Sequence, residues 1–167
     1  LGDVYKRQGT IYPEPYVHLL TEDLGYGLRP VFLVGAGKDQ ISVRPALTFT
    51  GAAVTGTLIE RGEHAMMAVD AIYPDPAPGR VRAGPDADLG EAVLTGEILD
   101  AKCWFGAMRP GHGKTHKACA ALCARGGLPL AFAETGRCAT GKAALLLLNA
   151  RGKAFGPEIV PLVADPV

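Results

Sequence analysis

An internal repeat is the strongest constraint on what this chain can fold into. Gly9-Thr10-Ile11 resembles Gly96-Glu97-Ile98, 87 residues later, and segment 29–38 resembles segment 143–153. The lysines that end those segments, Lys38 and Lys153, are 115 residues apart, so the second copy carries an insertion of about 28 residues, the difference between 115 and 87. A repeat of this kind predicts two copies of one small unit.

Each copy consists mainly of short strand-like segments. In the first copy, segments 54–60 and 65–69 flank Arg61-Gly62-Glu63-His64, a pattern typical of a β-hairpin with glycine in the turn. A unit of about five short strands that opens on a G-x-[IV] strand and closes on a hairpin resembles an OB-like barrel. We therefore predict a mainly β protein with two tandem OB-like small barrels, the second bearing a helical Cys/His insertion.

The same patterns predict the domain boundaries. Residues 1–8 (LGDVYKRQ) resemble a non-native leader of the kind that adapter read-through adds to translated environmental sequences, so the first barrel is expected at 9–73. Segment 74–90, with four prolines and three glycines, is typical of a linker. The second domain is expected at 91–167, with its insertion at about 101–128. Its closing hairpin would begin near residue 167, which predicts a C-terminal truncation of roughly 20 residues.

The composition argues against several function classes. The chain has 17 basic and 17 acidic residues without a long run of either, so nucleic acid is not an expected partner. No stretch reaches the roughly 18 apolar residues of a membrane span, so membrane contact is expected only through an anchor missing from this chain. The sequence contains no evident paired carboxylates and no Ser/His/Asp set, which favours a non-catalytic protein.

The four cysteines are concentrated between Cys103 and Cys138, which suggests one local site. Thr115 is placed to cap a helix that begins at His116, and Gly126-Gly127 is placed to end it. At about 100° per residue, His116, Cys119 and Cys123 share one face of that helix.

Two interpretations of this segment remain open. Cys103, His116, Cys119 and Cys123 would form a Cys3His set suited to zinc or copper. Alternatively, the cysteines form disulfides. Cys119 and Cys123, one helical turn apart, are poorly placed to bond each other, so each is expected to pair with Cys103 or Cys138.

A phosphate-binding loop is not expected, although Gly113-Lys114-Thr115 resembles the end of one. The motif G-x-x-x-x-G-K-[ST] would need glycine at position 108, and that residue is Met108.

A longer motif includes the cysteine segment, running from Gly96-Glu97-Ile98 through segment 106–120 to Gly126-Gly127-Leu128-Pro129. It resembles a motif of uncharacterised bacterial proteins that are exported or membrane-anchored and contain OB-like segments. The resemblance implies an extracytoplasmic location, an anchor upstream of residue 9 and disulfide bonds. We therefore expect a non-catalytic extracytoplasmic binding or accessory module with a disulfide-stapled insertion and an unidentified protein partner, and the alternative is a metal-binding or thiol-redox protein.

Overall fold

The first repeat unit closes into a five-stranded barrel. The structure, a computed structural model, describes residues 4–23, 27–77, 81–134 and 144–167. The strands of the barrel are β1 (Val4–Tyr12), β2 (His18–Asp23), β3 (Gly27–Val34), β4 (Gly51–Arg61) and β5 (His64–Pro74). Their order is β1-β2-β3-β5-β4, and β4 pairs back onto β1. The small barrel expected in the first copy is therefore confirmed.

The barrel starts earlier than the sequence boundary at residue 9. Strand β1 begins at Val4, and residues 4–8 pair with residues 53–57 of β4. The expected hairpin joins β4 to β5, with Arg61 opposite His64 and Gly62 at a φ of 61°. Glycine suits this turn because it adopts positive φ without a steric penalty.

Strand β3 is buried on both of its faces. Val31 and Leu33 belong to the barrel interior, whereas Phe32 and Val34 point outward into a second apolar cluster shared with the other unit. In strand β5, which is parallel to β3, Met67 likewise belongs to the barrel interior and Met66 to the second cluster. A strand covered on both sides needs a continuous apolar run, which explains the sequence Val31-Phe32-Leu33-Val34.

The second unit contains a three-stranded antiparallel sheet, with β6 (Gly96–Asp100), β7 (Leu130–Glu134) and β8 (Leu145–Leu146) in that order. The described residues do not show the second barrel that the repeat predicts. Residues 101–129 lie between β6 and β7, where the insertion is expected, and contain helix α1 (Lys117–Arg125), a π-helical turn (Cys103–Ala107) and a 3-10 turn (Lys114–His116). Further 3-10 turns span Pro45–Leu47 and Pro157–Leu162.

The two units share backbone details beyond their strand order. A Cβ atom on Gly9 would lie 2.2 Å from the Leu20 carbonyl oxygen, and one on Gly96 would lie 2.2 Å from that of Ala133. In both units, the glycine of the first strand therefore permits close approach of the second strand.

A second shared detail lies where the chain returns to the first strand. Phe49 (φ 58°) donates its N–H to the Ile11 carbonyl at 2.7 Å, and Ala164 (φ 60°) donates to the Ile98 carbonyl at 2.8 Å. Ile11 and Ile98 are the matched isoleucines of the repeat. Residue 167 then pairs with Gly96 through two backbone hydrogen bonds, as the start of β4 pairs with Gly9.

The described residues between β5 and β6 have no regular secondary structure. This segment is tied to the barrel at Val81, whose N–H donates to Thr10 Oγ1 and whose carbonyl accepts from Tyr12 Oη, both at 2.8 Å. None of the helices in the described part of the chain is long and apolar enough to cross a membrane.

Replacing either matched strand glycine by alanine is expected to destabilise the protein. Gly9→Ala and Gly96→Ala would each force a Cβ onto a carbonyl of the adjacent strand, at a cost of about 2 kcal/mol or more. Thermal and urea unfolding measure this cost. Gly84→Ala is the matched control, because a Cβ there has no atom within 4 Å. Equal stability of all three variants would contradict the prediction.

Stability is also expected to fall as the solution is acidified. His64 of β5 stacks on Phe105 (5.4 Å between ring centroids), and its Nε2 accepts the N–H of Ala144 at 3.2 Å. Burial lowers the pKa of His64 below its usual 6.5, partly offset by the nearby Glu63 carboxylate. As the pH falls below 6.5, His64 is therefore protonated in the unfolded chain before it is protonated in the folded protein. The stabilisation present at higher pH is lost as the pH falls through the folded-state pKa.

The measurement is Tm between pH 7.5 and about pH 5 for the wild type and for His64→Gln. We expect a shallower decline in the variant. His18, whose pKa is also lowered by burial, will retain its own share of the pH dependence. Identical slopes in the two proteins would show that His64 does not contribute.

Candidate metal and thiol site

Helix α1 of the insertion presents two cysteines to the rest of the protein. It begins at Lys117, one residue later than expected, because Lys114–His116 forms a 3-10 turn that places Thr115 inside the turn. No side-chain hydrogen bond caps either element, so the expected capping role of Thr115 is wrong.

The predicted glycine stop of this helix is confirmed. Gly127, at a φ of 76°, donates to the Ala124 carbonyl, and Leu128 donates to the Cys123 carbonyl, both at 3.1 Å. These two bonds form a Schellman motif, which satisfies carbonyls at the helix end and fixes the backbone of Cys123.

Three sulfur atoms meet where the helix packs against the start of the insertion. The Sγ atoms of Cys103, Cys119 and Cys123, here called the thiol triad, all lie within 4.8 Å of one another. The distance from Cys103 Sγ to Cys119 Sγ is 3.8 Å. Cys103 and Cys123 are buried and Cys119 is partly exposed, so the triad opens toward solvent on the Cys119 side.

The disulfide staples that the sequence analysis expected are not present among the described cysteines. Cys103, Cys119 and Cys123 are free thiols. Cys119 and Cys123 lie on the same helix face and both point at Cys103, which could bond only one of them. Cys138, the fourth disulfide candidate, lies outside the described residues.

A lysine from the barrel reaches the triad. Lys38 Nζ lies 2.7 Å from Cys119 Sγ and 3.8 Å from Cys123 Sγ. The hydrogen bond to Cys119 is the main cause that raises the pKa of Lys38, and the other two thiols add to it. This ammonium is therefore held in its charged form beside the sulfur atoms.

The loop that carries Lys38 is held close to the helix end. A Cβ on Gly126 would lie 1.9 Å from the Lys38 carbonyl oxygen, and Gln40 donates its N–H to the Gly126 carbonyl at 2.9 Å. Only glycine fits at position 126 without displacing this loop. Gly126 thus has a packing role in addition to its place at the end of the helix.

A second lysine, Lys102, also holds the loop that carries Lys38. The buried Lys102 Nζ donates to three consecutive carbonyls, those of Gly35 (2.7 Å), Ala36 (2.9 Å) and Gly37 (2.6 Å). These bonds use all three donors of an ammonium group. Burial lowers the pKa of Lys102, an effect that the nearby Cys123 and Cys103 thiols partly oppose. Lys102 therefore joins the insertion to the barrel directly beside the triad.

The two buried thiols differ in their acidity. A hydrogen bond from Cys103 lowers the pKa of Cys123, and Lys38 lowers it further. The same hydrogen bond, together with burial and the Asp100 carboxylate, raises the pKa of Cys103. The two thiols therefore shift each other's pKa in opposite directions.

His116 lies beside the triad but faces a different partner. Its Nε2 is 2.7 Å from Asp100 Oδ2, and both side chains are buried. Asp100 Oδ1 also accepts the N–H of Cys103 at 2.9 Å, as a carboxylate does at the start of a helical turn. Asp100, Cys103 and His116 thus form a second group within 4.8 Å, and Cys103 belongs to both groups.

The segment that resembles a phosphate loop is engaged within the protein. The N–H of Gly113 donates to Glu97 Oε1 at 2.6 Å. The Gly113 N–H is therefore already bonded to a carboxylate, whereas a phosphate-binding loop would leave such a donor free for its ligand.

Three residues of the site were missed by the sequence analysis: Lys38, Asp100 and Lys102. Asp100 lies three residues before Cys103 and Lys102 one residue before it, and two charged residues so near a cysteine were the available signal. Lys38 ends the repeated segment, but nothing in its surroundings indicates that it contacts residues 81 and 85 positions further along the chain.

The chain matches no protein-family model, and no curated protein or solved structure proved similar to it.

Removing the charge of Lys102 is expected to loosen the site. Lys102→Met would leave three loop carbonyls without their donor, which costs about 2 to 4 kcal/mol. It would also free the loop that positions Lys38, so Cys119, without the ammonium that favours its thiolate, should react more slowly with a thiol reagent. The checks are thermal unfolding and labelling kinetics, with Lys114→Met, an exposed lysine of the same insertion, as the control. Unchanged labelling in Lys102→Met would exclude the positioning role.

Proposed function

We propose that this protein binds one soft metal ion, zinc or copper(I), through the thiol triad. The observation that carries the proposal is the meeting of three sulfur atoms from two chain segments within 4.8 Å of one another. Thiolate ligands are those that soft and borderline-soft ions prefer, and a metal would hold all three with little movement of the backbone.

The spacing of the sulfurs supports the assignment. Zinc–sulfur bonds of about 2.3 Å in a tetrahedral arrangement separate neighbouring sulfurs by about 3.8 Å. The distance from Cys103 Sγ to Cys119 Sγ is 3.8 Å. A disulfide, in contrast, needs the sulfurs to approach to about 2.05 Å.

The local charges also favour an ion held by thiolates. Three thiolates around a zinc or copper(I) ion carry a net negative charge, and the ammonium groups of Lys38 and Lys102 interact electrostatically with these cysteines. Lys38 would remain hydrogen-bonded to Cys119 as an outer partner of a ligand. In this proposal His116 stays paired with Asp100, which orients Cys103, and a non-protein ligand completes the coordination.

The wider proposal is a non-catalytic, extracytoplasmic accessory module with a protein partner. The closed five-stranded barrel supports its OB-like part, because barrels of this kind serve mainly as binding modules. A second candidate is a thiol-redox protein. The observation that favours it is the partly exposed Cys119, 3.8 Å from a second thiol that could resolve a mixed disulfide.

The test is metal analysis of protein purified without chelator, combined with thiol counting by intact mass. We expect one equivalent of zinc or copper, and a rise in Tm on metal addition that a chelator reverses. Cys103→Ser, Cys119→Ser and Cys123→Ser should each weaken binding by about a hundredfold or more. Cobalt(II) titration would report thiolate ligation through charge-transfer absorption.

Two control variants define the ligand set. Cys138→Ser and His116→Gln should both retain one equivalent of metal. Loss of metal in either variant would replace the three-thiol site by one that includes that residue. Absence of metal together with reversible formation of one disulfide would favour the redox candidate, and three unreactive thiols without metal would refute both.

A further inference from the structure

A cavity of about 390 Å³ lies in the seam between the barrel hairpin and the insertion, and no cysteine of the thiol triad lines it. The barrel contributes Glu60 and Arg61 from the end of β4. The insertion contributes residues 104–106 and 108–112. We call this space the seam cavity. Neither unit alone forms it, because its two walls belong to different parts of the chain.

The charges that line the seam cavity are mainly positive. Arg61 and Arg109 line it together with one carboxylate, that of Glu60. The Glu60 carboxylate is engaged by the buried Arg29, whose Nη2 lies 2.5 Å from Glu60 Oε1. Because that ion pair neutralises the acidic residue, the cavity has an excess of positive charge.

One wall is rigid. The Arg61 guanidinium stacks over the Trp104 ring, 4.1 Å from its centroid, and donates to the Trp104 carbonyl at 2.6 Å. Trp104 is fully buried and also packs against Phe105 and His64. An arginine held on an aromatic face keeps its orientation without a ligand, which reduces the entropy lost on binding.

The other wall is open to solvent. Arg109 is exposed and also lines a neighbouring hollow of about 610 Å³, whose surface includes Leu58, Ile59 and Phe105. A ligand with its charged group between Arg61 and Arg109 could therefore lay an apolar body along the hollow. Both spaces share Glu60, Phe105, Gly106 and Arg109 as lining residues, so they lie next to each other.

We propose that the seam cavity binds a small organic anion, a phosphate ester or a carboxylate, with its oxygens between Arg61 and Arg109. Guanidinium groups recognise both anions through paired N–H donors. The lining of this cavity contains no sulfur atom of the thiol triad, so its ligand is recognised by different groups. The site adds a second binding function at the junction of the two units.

The experiment uses the full chain and the fluorescence of Trp104, its single tryptophan, which lies in the cavity wall. Phenyl phosphate and benzoate are titrated at constant ionic strength, because they share an apolar ring and differ in the anionic group. We expect a saturable change in fluorescence with at least one of the two compounds, and the compound that binds more tightly identifies the anion class. Absence of saturation with both up to about 10 mM would overturn the proposal.

The variants localise the binding. Arg109→Gln is expected to weaken it by about tenfold or more, since a charge-assisted bond is lost at an exposed side chain. Arg151→Gln, at an exposed arginine on a turn that does not line the cavity, is the matched control and should bind as the wild type does. Cys119→Ser should leave anion binding unchanged, which separates this site from the metal site. Equal weakening in Arg109→Gln and Arg151→Gln would show nonspecific charge attraction and refute the proposal.

Discussion

The packing of the second unit onto the outer face of β3 and β5 is the contact on which the rest of the structure depends. The side chains of Phe32, Val34 and Met66 lie outside the barrel interior. They belong to a cluster that includes Trp104 and Leu128. Without that cover, a strand of the barrel would expose a contiguous apolar surface to water. The same contact brings Lys38 to the cysteines and forms the seam cavity, so both candidate sites follow from one interface.

Lys102 fixes the position of the two units relative to each other at that interface. Apolar packing tolerates small sliding movements, whereas an ammonium group with three carbonyl partners has a single geometry. A buried charge without such partners would be strongly unfavourable, so the loop and the lysine depend on each other. Lys102 immediately precedes Cys103, and the position of the first thiol is therefore fixed relative to the barrel.

Much of the architecture could be predicted from the sequence because it depends on local patterns. The hairpin at Gly62, the glycine stop after Arg125 and the position of the insertion all follow from turn chemistry or from the repeat offset. The convergence of Cys119 and Cys123 on one face follows from helical periodicity. The direction in which His116 points did not follow, because it depends on Asp100 in a different element. The contact of Lys38 with the thiol triad could not be predicted either, because it results from the docking of two units and not from any local pattern.

The matched positive-φ residues Phe49 and Ala164 bear on how the two halves are related. Left-handed backbone at a non-glycine residue carries a conformational cost, and the two side chains have almost nothing in common. Two unrelated chain segments would rarely share that cost at equivalent points, each donating to the matched isoleucine of its own first strand. The two units therefore share this local path of the main chain, although the residues at the two positions, phenylalanine and alanine, differ.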